Sequence, residues 1–238
     1  MRVGIIQSNY IPWRGYFDFI NSVDLFVLHD DLQYTKGDWR NRNKIKTSQG
    51  TIWLTVPVRY HAVSQLICET EIDYSQRWQA THLNQFRANY FKASFFEEAI
   101  SLLKMGLSSE NLTIAQLNVQ LIKSICSYLE IRTPIVLSQD FGITGTKTEK
   151  LINLLQKFEA TVYLSGASAQ AYIDENSFQK AGIGLEYKTY DYAPYNQLWG
   201  EFVGAVSILD LIANNGKEAK RFLTSQSPNI VAVETSIT

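Results

Sequence analysis

Two short apolar runs near the start of the chain, residues 3–6 (VGII) and 25–28 (LFVL), each break off abruptly into a polar, aromatic, charge-bearing loop. Between them Tyr16, Phe17, Phe19 and Ile20 recur at helical rather than alternating spacing. Strand, loop, helix and strand in this order predict a parallel βαβ unit, whose crossover is nearly always right-handed. In such a sheet the carboxyl ends of the strands open onto the site. The two loops that follow these runs are therefore where the chain is expected to put its chemistry.

The remaining elements fit around that unit. Residues 51–58 (TIWLTVPV) are β-branched and apolar, follow Gly50, and read as a strand after a hairpin turn; residues 67–72 read as another strand. Residues 76–106 and 111–128 carry helical apolar stripes, with Trp78, His82, Phe86 and Tyr90 on one face, and predict a central helical insert or cap over about residues 76–130. Strand character returns at 133–138, and Thr146 followed by Glu149 is a capping box that opens a helix at 150–158. Strands at 161–165 and 184–189 alternate with a short helix at 169–176 and a last helix at 203–214, stopped at Asn215-Gly216. Residues 225–238 read as loosely specified. The alternation predicts the α/β class, with a mainly parallel Rossmann-like sheet flanked by helices and one domain over residues 1–238.

Composition removes several function classes. A chain of 238 residues can bury a sizeable core, and 45% apolar with 19% charged residues is ordinary for a globular protein. Formal net charge is -1 and pI about 6.3, so no global basic field favours DNA. Cys68 and Cys126 are too few and too far apart for a disulfide framework or a metal set, and read as reduced, buried thiols. No run reaches the ~18 apolar residues of a membrane span, and Gln7 and Asn9 come too early for a signal-peptide core. The expected setting is the cytoplasm.

The loop from Gln7 to Tyr16 gathers Gln7, Asn9, Tyr10, Trp13, Arg14 and Tyr16 around Pro12 and Gly15. Such a loop can hold a ligand between aromatic faces and amides, or pack its rings beneath the sheet edge. Asp30 and Asp31 directly follow the second strand. One can serve as a general base, or the pair can bind sugar hydroxyls or a metal; alternatively one caps a turn and the other pairs with Arg40 or Arg42. Arg40, Arg42 and Lys44 form a basic stretch suited to phosphate or carboxylate. His29 stands beside the acidic pair, and His82, on an aromatic helix face, is either a core residue or a base presented to the sheet edge. Lys147 at a capped helix start makes an anion site or simply a well-formed cap, and Ser165 opens a hydroxyl-rich loop on the same edge. No nucleophile elbow, phosphate loop, zinc spacing or dinucleotide fingerprint occurs.

The string Gln7-x-x-Tyr10-x-Pro12-x-x-Gly15-Tyr16-Phe17, then Asp24-x-Phe26-Val27, Asp30-Asp31-x-Gln33-Tyr34 and Trp39-x-Asn41-Arg42-Asn43-Lys44-Ile45, resembles the WbqC-like protein family. The likeness continues at His82-Leu83, Thr146 to Glu149, Tyr163 to Gly166, Tyr192-x-x-Tyr195-x-Gln197 and Ser207 to Leu211, so it spans nearly the full chain. Two departures are Gln7-Ser8, where the family has Gln-Pro, and Gly204-Ala205 in place of a proline before the last helix. The resemblance implies a bacterial protein of O-antigen (lipopolysaccharide) or other surface-polysaccharide biosynthesis, in a family whose members are described as glycine, aminoacyl or acyl transferases. It also brings Gln33, Tyr34 and Asn41 into the expected substrate-binding set. A more distant likeness in layout is to the HUP-type nucleotidylyltransferases and pantothenate synthetase, whose HxGH signature is absent here.

The leading expectation is a transferase that acylates or aminoacylates an amino group of a nucleotide-linked sugar. Arg40, Arg42, Lys44 and Lys147 would hold phosphate or carboxylate, Asp30, Asp31 or His82 would take the proton, and Tyr10, Trp13 and Tyr16 would flank the sugar or base. The donor would be an acyl or aminoacyl group, brought on a small molecule or on a carrier, and the sequence specifies no metal site. The alternatives are an ATP- and magnesium-dependent enzyme that activates a carboxylate, and a non-catalytic module that binds a sugar nucleotide or a carrier.

Overall fold

The computed structural model describes residues 1–108, 111–171 and 173–233. Its main sheet runs in the order β5 (Ile135–Leu137), β2 (Leu25–Leu28), β1 (Arg2–Ile6), β6 (Val162–Gly166), β7 (Gly184–Lys188) and β8 (Ile230–Ala232). All pairings from β5 to β7 are parallel, and only β8 joins antiparallel. β1 therefore sits at the centre, with β2 on one edge and β6 on the other. The chain is α/β with a mainly parallel sheet flanked by helices, as its alternating pattern predicts.

Strand alternation divides the core in two. Val3, Ile5, Leu25 and Val27 face α5 (Lys147–Lys157) and α6 (Glu175–Lys180). Phe26, Leu28 and Leu164 face α1 (Arg14–Asn21), and the same core continues without interruption into α2 (Trp78–Tyr90), α3 (Phe96–Leu107), α4 (Ile114–Tyr128) and α7 (Ile208–Asn215). The helices at 78–128 thus share the core of the α1 face. α1 approaches β1 closely enough that a Cβ at Gly4 would lie 2.4 Å from the Phe19 ring.

Several elements differ from the sequence reading. The basic stretch contains a strand, β3 (Arg42–Thr47), which pairs antiparallel with β4 (Gly50–Thr55) in a separate hairpin. Residues 67–72 form a 3-10 turn at Ile67–Glu69 instead of a strand, because the Thr70 hydroxyl donates to the Leu66 carbonyl at 2.8 Å and curls the chain. The helix expected over 76–106 is two helices, since the Phe95 amide leaves the helical ladder for the Ala213 carbonyl at 2.9 Å. The last helix starts at Ile208, where the Ser207 hydroxyl accepts the Leu209 N–H at 3.3 Å. β8 lies in the stretch read as loosely specified; residues 234–238 of that stretch, and residue 172 of the helix expected at 169–176, lie outside the described residues.

Residues 189–206 cross the α1 face as a strap without helix or strand. Its anchors are buried polar groups. Asp18 of α1 accepts from Lys188 Nζ at 3.0 Å and the Tyr192 hydroxyl at 2.5 Å, and Asp210 accepts from the hydroxyls of Tyr90 and Tyr195 at 2.6 and 2.8 Å. The Arg14 guanidinium lies 4.5 Å from the Tyr192 ring centre. Among the described residues no helix is long and apolar enough to cross a membrane.

Candidate functional site

The strand order reverses between β1 and β6, whose following loops lead to opposite sides and part above the carboxyl ends of the sheet, the usual place for a ligand crevice in an open α/β fold. A cavity of about 500 Å³ opens there. Gln7 and His29 line it from the two strand ends, Tyr163 from β6, and Lys147, Thr148 and Lys150 from the first turn of α5. Successive residues leaving β2 turn to opposite sides, as strand geometry requires. His29 and Asp31 go toward α5; Asp30 goes toward the loop after β1.

Asp31 organises the α5 side. Its carboxylate meets Lys150 Nζ at 2.7 Å, accepts a hydrogen bond from the Ser138 hydroxyl, and stands 3.5 Å from His29 Nε2. Burial alone would raise its pKa, but the bonds from Lys150 and Ser138 hold it below the ordinary carboxylate value. His29 is 4% exposed, and burial pushes its pKa down to about 4 against the opposing pull of Asp31. The imidazole is therefore neutral near pH 7. Its buried Nε2 makes no hydrogen bond among the described residues. Lys147 stands exposed at the cavity and, among the described residues, pairs with no carboxylate, whereas Lys150 is spent on Asp31.

Asp30 is 2% exposed and points the other way: one oxygen accepts the Ser8 N–H at 2.8 Å, while the other is buried and has no hydrogen-bond partner among the described residues. Burial raises its pKa, partly offset by Ser8 and Arg40. It braces the loop and does not line the cavity. Arg40 braces the same loop, donating to the carbonyls of Gln7 and Ser8 at 3.4 and 3.2 Å and to the Asn9 side chain.

The aromatic cradle is corrected by burial. Tyr10 and Tyr16 lie in the core because the loop turns their rings under the sheet edge, and the Tyr16 hydroxyl donates to the Gln7 carbonyl at 3.0 Å. His82 is no base for this cavity. Its Nδ1 meets the Tyr10 hydroxyl at 2.8 Å and its Nε2 the Thr55 carbonyl at 3.2 Å, beside a separate cavity behind the hairpin. Tyr34 and Asn41 are core residues, Asn41 Nδ2 donating to the Val56 carbonyl at 2.8 Å. Gln33 is exposed and forms an isolated bridge with Leu66. Ser165 is buried against the Tyr163 hydroxyl at 3.4 Å.

Trp13, Arg42 and Lys44 stay near solvent, but at a second place, around the hairpin and a smaller cavity. Of the expected residues the strand-end cavity thus gathers Gln7 and Lys147, with Asp31 directly behind. Sequence reasoning placed His29 beside the acidic pair without giving it a role, and missed Lys150 and Ser138. The signals were present: His29 and Asp31 are two apart beyond a strand, and Lys147 and Lys150 are three apart on a helix. Among the described residues no three His, Cys, Asp or Glu side chains gather to hold a metal ion.

A family model described as the WbqC-like protein family matches residues 7–222. A Mycobacterium tuberculosis protein named "Uncharacterized protein Rv1507c" is 48% identical over 228 residues, covering 93% of this chain and 97% of that protein. No solved structure matches the chain.

Proposed function

The chain belongs to the WbqC-like protein family, and from that premise we propose that it is a transferase that acylates or aminoacylates an amino group on a nucleotide-linked sugar in bacterial surface-polysaccharide biosynthesis. The observation that carries this reading is the cavity at the carboxyl ends of β1 and β2, with a neutral, buried imidazole on one wall and the start of α5 on the other. Lys147 and the N-terminal end of α5 suit the phosphates of such a substrate, because a helix N-terminus favours anions. Gln7 supplies an amide for a sugar hydroxyl.

In the proposed reaction the sugar nitrogen attacks the donor carbonyl carbon, a C–N bond forms, and the bond from that carbon to the leaving group breaks. His29 takes the proton released by the nitrogen and returns it to the leaving group. With Nε2 turned toward Asp31, the transfer falls to Nδ1. Asp31 is a positioning residue, itself fixed by Lys150 and Ser138. Asp30 and His82, expected as bases, have no part in this reading.

The test is to incubate the protein with amino-bearing nucleotide sugars and acyl-thioester or aminoacyl donors, and to read the mass gain on the sugar. Product is expected with the native chain, and His29→Gln should lower turnover roughly 100-fold or more, the usual weight of a general base. Asp31→Asn should lower kcat with little change in KM. Full turnover in His29→Gln removes the imidazole from the reaction. Calorimetric binding with no product from any donor and acceptor pair would sink the transferase reading in favour of a binding module.

A further inference from the structure

The hairpin of β3 and β4 is two-sided, as a period of two requires. Asn43, Ile45 and Leu54 turn inward and are buried, while Arg42 and Lys44 of β3 share the outer face with Trp53 and Thr55 of β4. Trp53 and the neighbouring Trp39 are each 41% exposed, with ring centres 5.3 Å apart. Two touching indoles open to water form an apolar patch of the kind that marks an interaction surface.

Unpaired positive charge gathers on the same patch. From Leu32 to Cys68 the chain carries Lys36, Arg40, Arg42, Lys44, Lys46 and Arg59 against a single carboxylate, Asp38, although its formal net charge as a whole is -1. Three of these cations are engaged: Arg40 with Asp38 at 3.6 Å, Arg59 with Glu71 at 3.3 Å, and the buried Lys46 with the Gln197 side chain at 2.7 Å. Among the described residues Lys36, Arg42 and Lys44 pair with no carboxylate, and the buried Arg42 Nε has no hydrogen-bond partner. Their contacts are aromatic. Arg42 and Lys44 lie 4.2 and 4.8 Å from the Trp53 ring centre, and Lys36 lies 4.8 Å from that of Tyr60. Ring faces hold such cations in place without neutralising them. Lys36 adjoins the other two, since a Cβ at Gly37 would lie 3.5 Å from Arg42 Nη2.

We propose that this outer face of the hairpin, through Trp39, Trp53, Lys36, Arg42 and Lys44, docks the protein on an anionic lipid bilayer. Indoles settle at the headgroup level, apolar ring inward and N–H in water, and Lys and Arg beside them are drawn to lipid phosphates. A single-stranded nucleic acid needs open ring faces on which to stack its bases, and the Trp53 ring already carries two cations. The docking is peripheral, and it is independent of the reaction assigned to His29 and Asp31 and of the anion site at Lys147.

Cosedimentation of the full chain with lipid vesicles tests this. At about 0.1 M salt, binding to phosphatidylcholine vesicles containing about 30% phosphatidylglycerol is expected to be at least about tenfold tighter than to phosphatidylcholine alone, and to fall as salt rises to about 0.5 M. Lys36→Gln, Arg42→Gln and Lys44→Gln should each weaken it about fivefold, and all three together about 100-fold. Lys147→Gln should leave it unchanged, and inorganic phosphate at matched ionic strength should not displace the chain. Lipids brominated on their acyl chains should quench the tryptophan emission of the bound native chain, and much less that of the double change Trp39→Phe with Trp53→Phe, a readout that charge attraction alone would not move. Melting curves check that each variant is folded; should the triple change fail to fold, the single changes and the quenching carry the test. No cosedimentation with anionic vesicles, undiminished binding in the folded charge variants, an equal loss in Lys147→Gln, displacement by phosphate, absence of quenching, or tighter binding of an oligouridylate than of the vesicles would each overturn the proposal.

Discussion

Adjacent residues can be given opposite fates by one peptide of strand geometry, and the acidic pair shows it. Asp30 goes inward to the Ser8 amide, and Asp31 outward to Lys150 and His29. The composition of this stretch marked it as a candidate site, but which carboxylate faces the cavity depends on which helix covers each side of β2. The histidines were harder to read, because a buried base and a buried spacer have the same sequence signature. His82 yields a residue-scale prediction. Its burial depresses the folded pKa to about 4 from 6.5, so the unfolded chain takes up the proton first as pH falls. The stability this neutral histidine allows is complete above pH 6.5 and lost progressively down to about pH 4, to an extent of roughly 3 kcal/mol. His29 acts in the same direction. Urea midpoints at pH 7 and pH 4.5 should therefore fall less in His82→Gln than in the native chain, and equal slopes would show that His82 accepts its proton within the fold.

The elements that local pattern fixes are those whose pattern is uniform. β1, α1 and β2 lie within two residues of their sequence reading, and the Thr146–Glu149 box opens α5 as expected, the Glu149 carboxylate accepting the Thr146 N–H at 3.3 Å. β3 was hidden because its sequence, RNKIKT, reads as charge; the period of two lies in Asn43 and Ile45, both buried, and is covered by the lysines between them. The break between α2 and α3 was illegible for another reason, since the Ala213 carbonyl that takes the Phe95 amide is over a hundred residues away. Helix packing makes a prediction that helix propensity would get wrong. An exposed helical glycine usually gains stability on replacement by alanine. In α3, however, a Cβ at Gly106 would lie 2.3 Å from Leu121 Cδ2 and 2.6 Å from its Cγ, so α4 must move away. Gly106→Ala should cost about 1–3 kcal/mol in chemical denaturation, and a gain would mean that the two helices do not pack this closely.

At the scale of the whole molecule, the buried pair of Asp18 and Lys188 ties α1 to the end of β7, and Tyr192 and Asn229 of the strap and tail complete the carboxylate's contacts at 2.5 and 3.3 Å. Removing one member strands the other charge. Lys188→Met should therefore cost about 3–5 kcal/mol, and adding Asp18→Leu should recover part of that loss, a non-additivity that a double-mutant cycle in urea measures. Strict additivity would mean that the two charges are not coupled. That α1 and β7 meet at all was invisible locally, because their residues lie about 170 apart. The central position of β1 has a kinetic counterpart. Its pairing with β2 needs only the next helix and strand, but its pairing with β6, Arg2 against Val162, waits for about 160 further residues. At ribosomal speeds of about 5–20 residues per second, one edge of the innermost strand stays bare for roughly ten to thirty seconds of every synthesis. Until then the growing chain carries an unpaired edge at β1, the kind of edge that chaperones shield.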